Sequence, residues 1–136
     1  MSTANLSPEE KLFRLVIRDP NFWDTKGSNR PSSALFKDPR GTSVDKKDGR
    51  PDGDCTDFLI TRIPNYRAIV SITVQNCIDK DIHIENDPQP ETEIQPENPY
   101  HMLLKKDEET PKLSGAQAKY LANSCVIEVT HSDYEN

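Results

Sequence analysis

A run of alternating apolar residues near the middle of the chain limits the fold more than any other feature. In residues 68–75, Ala68, Val70, Ile72 and Val74 occupy every second position. Because successive side chains of a β-strand point to opposite faces, these four share one face and can bury it against a core. The sequence therefore predicts a sheet that contains this strand.

Four further apolar runs predict other strands of that sheet. In the run at residues 12–18, alternate residues from Phe13 to Ile17 are expected to face the core, and a helix continuing from Ser7 is the alternative. In the run at residues 82–85, the two isoleucines are expected to face inward, with His83 and Glu85 outward. The runs are residues 12–18, 82–85, 101–104 and 126–129.

A late helix is predicted from a cap and a spacing. Ser114 can accept hydrogen bonds from the first free amides of a helix. After it, Ala118, Leu121, Ala122 and Cys125 follow the i, i+3, i+4, i+7 pattern, which places them on one narrow face. We expect this helix to lie on the sheet.

Two long polar segments separate these elements. Residues 24–56 are rich in glycine, proline and aspartate, with one helical turn predicted at 32–36, and residues 86–100 form an acidic connector with four prolines. Residues 1–6 and 131–136 are expected to fray. The predicted fold class is α+β: a small, mostly antiparallel sheet with one or two helices and long ordered loops.

Length, cysteine content and polarity predict the number of domains, the state of the thiols and the location of the protein. A chain of 136 residues is expected to form one domain, residues 1–136. Cys55, Cys77 and Cys125 are widely spaced and odd in number, which predicts buried free thiols instead of a disulfide framework. With no leader pattern and no apolar run of membrane-spanning length, we expect a cytoplasmic protein without membrane contact.

The arginines are unevenly distributed. All seven lie in residues 1–67, although the net charge of the chain is −6. Because a guanidinium group matches phosphate and carboxylate geometry, the bias points to Arg14, Arg18 and Arg30 as candidate anion-binding residues, and a solvated surface is the alternative. An acidic chain without a recognised nucleic-acid motif makes nucleic acid a possible but disfavoured partner.

Candidate catalytic residues lie in the loops. Ser43, Asp45, Asp87 and His101 combine hydroxyl, carboxylate and imidazole groups, which suit acid–base chemistry if the loops bring them together. His83, Glu85, Asp87 and His101 could also approach one another and suit a divalent metal or acid–base chemistry, although a surface location is the ordinary outcome for such residues. No metal-binding residues are predicted, and the cofactor is left open.

The acidic run at residues 45–54 does not fit a calcium loop. Starting the motif at Asp48 puts Arg50 at its third position and Leu59 where a bidentate glutamate belongs. We expect a solvated loop there. Phosphate-binding loops, nucleophile elbows and zinc-protease motifs are also absent from the sequence.

Two resemblances add expectations. Residues 30–36 and 41–45, with Asp87-Pro88 and residues 98–101, resemble small bacterial and phage proteins, which implies bacterial or phage origin and supplies no activity. An early arginine, Thr42-Ser43 and Glu128 also resemble the Arg, Ser-Thr-Ser and Glu order of ADP-ribosyltransferases, in which arginine and serine hold NAD and glutamate acts on the ribose. Here the triplet is Thr-Ser-Val, and Arg14 or Arg18 fits the first position.

The sequence thus favours a small bacterial or phage binding or accessory protein that contacts a protein partner through its long loops. The alternative is a small enzyme, either ADP-ribosyltransferase-like or a metal-dependent hydrolase, with its site around Ser43, Asp45, Asp87 and His101.

Overall fold

A computed structural model describes residues 6–135. Its strands are β1 (Lys11–Ile17), β2 (Trp23–Asp24), β3 (Arg30–Pro31), β4 (Thr42–Lys46), β5 (Tyr66–Thr73), β6 (His83–Asn86), β7 (His101–Lys105) and β8 (Val126–Thr130). Its helices are α1 (Asp52–Arg62), α2 (Val74–Asp79) and α3 (Gly115–Ser124), and short 3-10 turns cover Pro20–Phe22, Ser33–Phe36 and Ser132–Tyr134.

Six of the strands form one sheet in the order β6–β7–β4–β1–β5–β8, and every neighbouring pair is antiparallel. The short strands β2 and β3 pair separately. The predicted α+β class with a mostly antiparallel sheet is therefore confirmed, although the described residues contain three α-helices instead of one or two.

Both faces of the sheet are covered, but unequally. One face carries the larger hydrophobic cluster, in which Leu12, Val16 and Val70 meet α2, α3 and the Ser33–Phe36 turn. The opposite face carries a smaller cluster, built from Phe13 and Ile69 against α1. Because a central strand is buried on both faces, β1 lacks a polar side.

This two-sided burial corrects the expected orientation of β1. Leu12 and Val16 face the larger cluster, Phe13 and Leu15 face the smaller one, and Ile17 is 43% exposed. The strand assignment is confirmed, since β1 pairs with β5 along its length, and the helical alternative is wrong. Ser7 only closes a turn, by accepting a hydrogen bond from the Glu10 amide at 3.1 Å.

The segment at residues 24–56 is not the long loop predicted from its composition. It contributes β4, which lies inside the sheet between β7 and β1, and it begins α1 at Asp52. In β4 only Thr42 and Val44 face the larger cluster, while Ser43 and Asp45 face the other side. A short strand whose second face is polar is hard to distinguish from a loop.

Other expectations are confirmed. β5, β6, β7 and β8 lie where the apolar runs predicted them, and the 3-10 turn at Ser33–Phe36 matches the helical turn predicted there. All three cysteines are buried and free. At α3, the Ser114 Oγ accepts from the Gln117 amide at 3.1 Å and the Gln117 Oε1 accepts from the Ser114 amide at 2.9 Å.

The structure differs from two local predictions, at His83 and at the C-terminal end. His83 is 1% exposed instead of facing solvent. It lies opposite Lys105 in the β6–β7 pair, and its Nε2 is 3.6 Å from the Glu85 Oε1. At the end predicted to fray, residues 132–134 form a 3-10 turn that contacts Arg18 through Asp133. Residues 1–5 and 136 lie outside the described part of the chain.

Candidate functional site

A cleft of about 440 Å³ opens where β1 and β4 separate. The two strands pair only at Leu12 with Lys46 and at Phe13 with Asp45. Past these positions the strands no longer pair, and the C-terminal end of α1 and the connector at residues 86–100 complete the walls. The apolar lining includes Phe13, Leu15 and Leu59.

The gap between the strands is bridged by Arg14. Its Nη1 donates to the Ser43 carbonyl at 2.8 Å, and its Nε donates to the Leu35 carbonyl at 2.9 Å. Loss of solvent around the guanidinium lowers the pKa of Arg14 to about 10. Arg14 therefore replaces the strand-to-strand hydrogen bond that β4 lacks at Ser43, and it forms part of the cleft wall.

Asp45 is the most unusual group in the cleft lining. Only 2% of it is exposed, and its Oδ1 accepts a hydrogen bond from the Asn98 Nδ2 at 3.0 Å. Its Oδ2 is buried and has no hydrogen-bond partner among residues 6–135. Burial raises the pKa of Asp45, and the Asn98 hydrogen bond and the charge of His101 oppose that rise.

His101 faces Asp45 across the β4–β7 pair and is oriented by Asp87. The His101 Nδ1 lies 3.1 Å from the Asp87 Oδ2 and 3.0 Å from the Asp87 carbonyl oxygen. Both oxygens are acceptors, so Nδ1 must carry the proton that they share. In the neutral ring, Nε2 then keeps its lone pair and can accept a proton.

The connector is fastened to the domain near these groups. Gln89 and Asn98 exchange backbone hydrogen bonds of 2.8 Å, and the Asn98 Oδ1 accepts from the Tyr100 amide at 3.0 Å. Arg50 stacks on the Tyr100 ring with its Cζ 3.4 Å from the ring centroid. The Arg62 Nη1 donates to the Pro96 carbonyl at 3.1 Å. These contacts hold one wall of the cleft in place.

The structure brings together much of the predicted catalytic set. Ser43, Asp45 and His101 all line the cleft, and Asp87 contacts His101. Their catalytic role stays a prediction. Sequence reasoning missed Asn98 as a site residue, although it precedes Pro99 in the conspicuous Asn-Pro-Tyr-His segment, and the three other missed polar residues of the lining are Asp38, Arg62 and Gln89.

The three candidate anion-binding arginines lie apart and already have protein acceptors. Arg30 donates to the Cys125 carbonyl at 2.6 Å, and Arg18 donates to the Tyr66 carbonyl at 3.1 Å and to Asp133 at 2.9 Å. Arg14 is held by the two carbonyls described above. Anion binding by these groups stays a prediction.

The residues of the second resemblance are also separated. Glu128 lies on the edge strand β8, where its Oε2 accepts from the Ser71 Oγ at 2.6 Å and pairs with the Lys11 Nζ at 3.0 Å. Two strands, β1 and β5, separate β8 from β4, which carries Thr42-Ser43. The ADP-ribosyltransferase resemblance remains a prediction.

The described part of the chain has neither a cluster of metal ligands nor a membrane-spanning helix. Within residues 6–135, no three His, Cys, Asp or Glu side chains are placed to hold a metal ion together. None of the helices described has the length and apolar character needed to cross a bilayer. No protein-family model, curated protein or solved structure matches the chain.

Proposed function

We propose that the protein is a small enzyme that binds a small molecule in the cleft and moves protons to and from it. The observation that carries the proposal is Asp45, a buried carboxyl group with an unpartnered oxygen, beside the Asp87–His101 pair. Carboxyl groups with a raised pKa and imidazoles oriented by a carboxylate are common parts of acid–base sites. The cleft volume of about 440 Å³ is also within the usual range for small-molecule sites.

The roles follow from the proton positions. His101 accepts a proton at Nε2, because Asp87 holds the other ring proton at Nδ1 and stabilises the charged ring. Asp45 supplies a proton, because its raised pKa keeps it protonated to higher pH than an exposed aspartate. The apolar lining excludes water from the bound molecule, which strengthens both interactions.

We expect a fragment library screened by ¹H–¹⁵N NMR to give compounds that shift the amides of residues around the cleft. Leu59→Trp fills the cleft from α1 and should weaken these compounds by about tenfold or more, since a filled apolar site loses its contacts. The matched control is Ile78→Trp, which is 49% exposed on α2 and should leave binding unchanged.

The same samples test the chemistry, because conversion of a bound compound changes its own spectrum over time. We expect some cleft-binding compounds to be converted by the wild type and left unchanged by His101→Asn. Compounds that bind but are never converted by the wild type would contradict the enzyme proposal and leave a binding protein. Fragments that bind with equal affinity to Leu59→Trp would contradict the site itself.

Two further expectations from the sequence remain proposals. A protein partner that contacts the loops is compatible with the cleft, since the connector and the exposed turn at residues 106–110 lie on the surface. A cytoplasmic location is compatible with free thiols at all three cysteines, because such thiols persist in reducing compartments.

A further inference from the structure

Arg67 borders a second pocket, and its guanidinium group packs on aromatic rings while its donors have no acceptor among residues 6–135. The Arg67 Cζ lies 4.4 Å from the Trp23 ring centroid and 4.0 Å from the Tyr134 ring centroid, so the group packs against both rings. Its Nε is buried without a partner, and within residues 6–135 no hydrogen bond or ion pair from this side chain is found. A buried N–H without an acceptor costs free energy.

The stacked group borders a pocket of about 170 Å³ that Arg18 also lines. Arg18 is fixed there by the Tyr66 carbonyl at 3.1 Å and by Asp133 at 2.9 Å, and its Cζ lies 5.2 Å from the Tyr134 ring. The pocket thus has two guanidinium groups beside the same ring, of which the Asp133 carboxylate neutralises one.

The remaining charge in the pocket lining is Asp19. Its carboxylate caps the Pro20–Phe22 turn by accepting from the Asn21 amide at 2.9 Å, so it is already engaged with its own backbone. The two arginines and two aspartates at the pocket therefore balance in formal charge, and within residues 6–135 Arg67 is the arginine of the pair without a carboxylate partner. The volume is small and suits a compact group better than a whole cofactor.

We propose that this pocket binds the phosphate group of a small molecule, with Arg67 as its main ligand and Arg18 as a supporting charge. A guanidinium group offers N–H donors in a planar fork that matches phosphate oxygens, and packing against the two rings fixes that fork in advance. Phosphate would accept hydrogen bonds from the Nη groups of Arg67, since the Nε is buried. The site is separate from the cleft and does not depend on the enzyme proposal.

Trp23 gives a direct measurement, because it is the single tryptophan of the chain and forms one wall of the stack. We expect inorganic phosphate in the millimolar range to change its fluorescence saturably, while sodium chloride at matched ionic strength does not. Arg67→Lys keeps the charge but loses the fork and should weaken phosphate binding by about tenfold. Arg40→Lys, at a side chain that is 92% exposed, is the matched control and should bind phosphate as the wild type does.

A second measurement keeps the test valid if the Arg67 variant folds poorly. In the wild-type protein, the ¹H–¹⁵N signal of the Arg67 Nε should shift with the same phosphate dependence as the fluorescence. A fluorescence response equal in wild type and Arg67→Lys would overturn the proposal, and so would an Arg67 Nε signal that does not move with phosphate.

Discussion

Replacing Arg14 with methionine is expected to lower the free energy of unfolding by about 3 kcal/mol, because two carbonyl groups lose a charged donor at once. Methionine keeps an unbranched apolar stem, so the change removes hydrogen bonds more than volume. Most of the lost free energy is expected to come from the Ser43 carbonyl, since β1 and β4 have already separated there and no strand amide replaces the guanidinium. Urea unfolding followed by circular dichroism measures the loss.

Two further variants separate the contribution of the Arg14 bridge to stability from general effects of charge. Arg14→Lys retains a positive charge but cannot reach both carbonyls in one plane, so its stability should fall between the wild type and Arg14→Met. Arg40→Met removes an exposed arginine and should change stability by less than about 0.5 kcal/mol. If Arg14→Met were as stable as Arg40→Met, the bridge across the open strands would be unimportant.

The Arg14 bridge also explains why the sequence predicted the sheet better than the cleft. The strands β5, β6, β7 and β8 each have an apolar periodicity that local reasoning detects. The cleft arises from where β1 and β4 stop pairing, which is a long-range register and leaves no local pattern. Because β4 has no such apolar periodicity, local patterns predict a loop there.

The sequence also does not predict which polar groups are buried. Asp45 lies in a run of lysine, aspartate and glycine that indicates a solvated loop, yet it is 2% exposed. Its burial depends on Asn98, which lies 53 residues later in the chain. By contrast, Ser43, Asp45, Asp87 and His101 could be nominated from residue type alone, because few side chains combine such chemistry.

Asp45→Asn is expected to raise the free energy of unfolding by about 2 kcal/mol at pH 8, the reverse of the usual effect of a change in the core. The amide oxygen can still accept from the Asn98 Nδ2, and the buried negative charge disappears. Because the pKa of Asp45 is raised in the folded protein, the wild type loses stability as pH increases from about 4 through that raised value. Below that window Asp45 is neutral in both states, so the advantage of asparagine should vanish.

Unfolding curves for the two proteins from about pH 3 to pH 8 test this dependence, with Asp57→Asn on the exposed surface of α1 as the matched control. The control should run parallel to the wild type, since an exposed carboxylate pays no burial cost. If Asp45→Asn is more stable but binds cleft compounds more weakly, the Asp45 carboxylate contributes to ligand binding and lowers the stability of the folded protein. If Asp45→Asn were instead less stable at every pH, the carboxylate would have a partner in the folded protein, and the main support for an acid–base site would be lost.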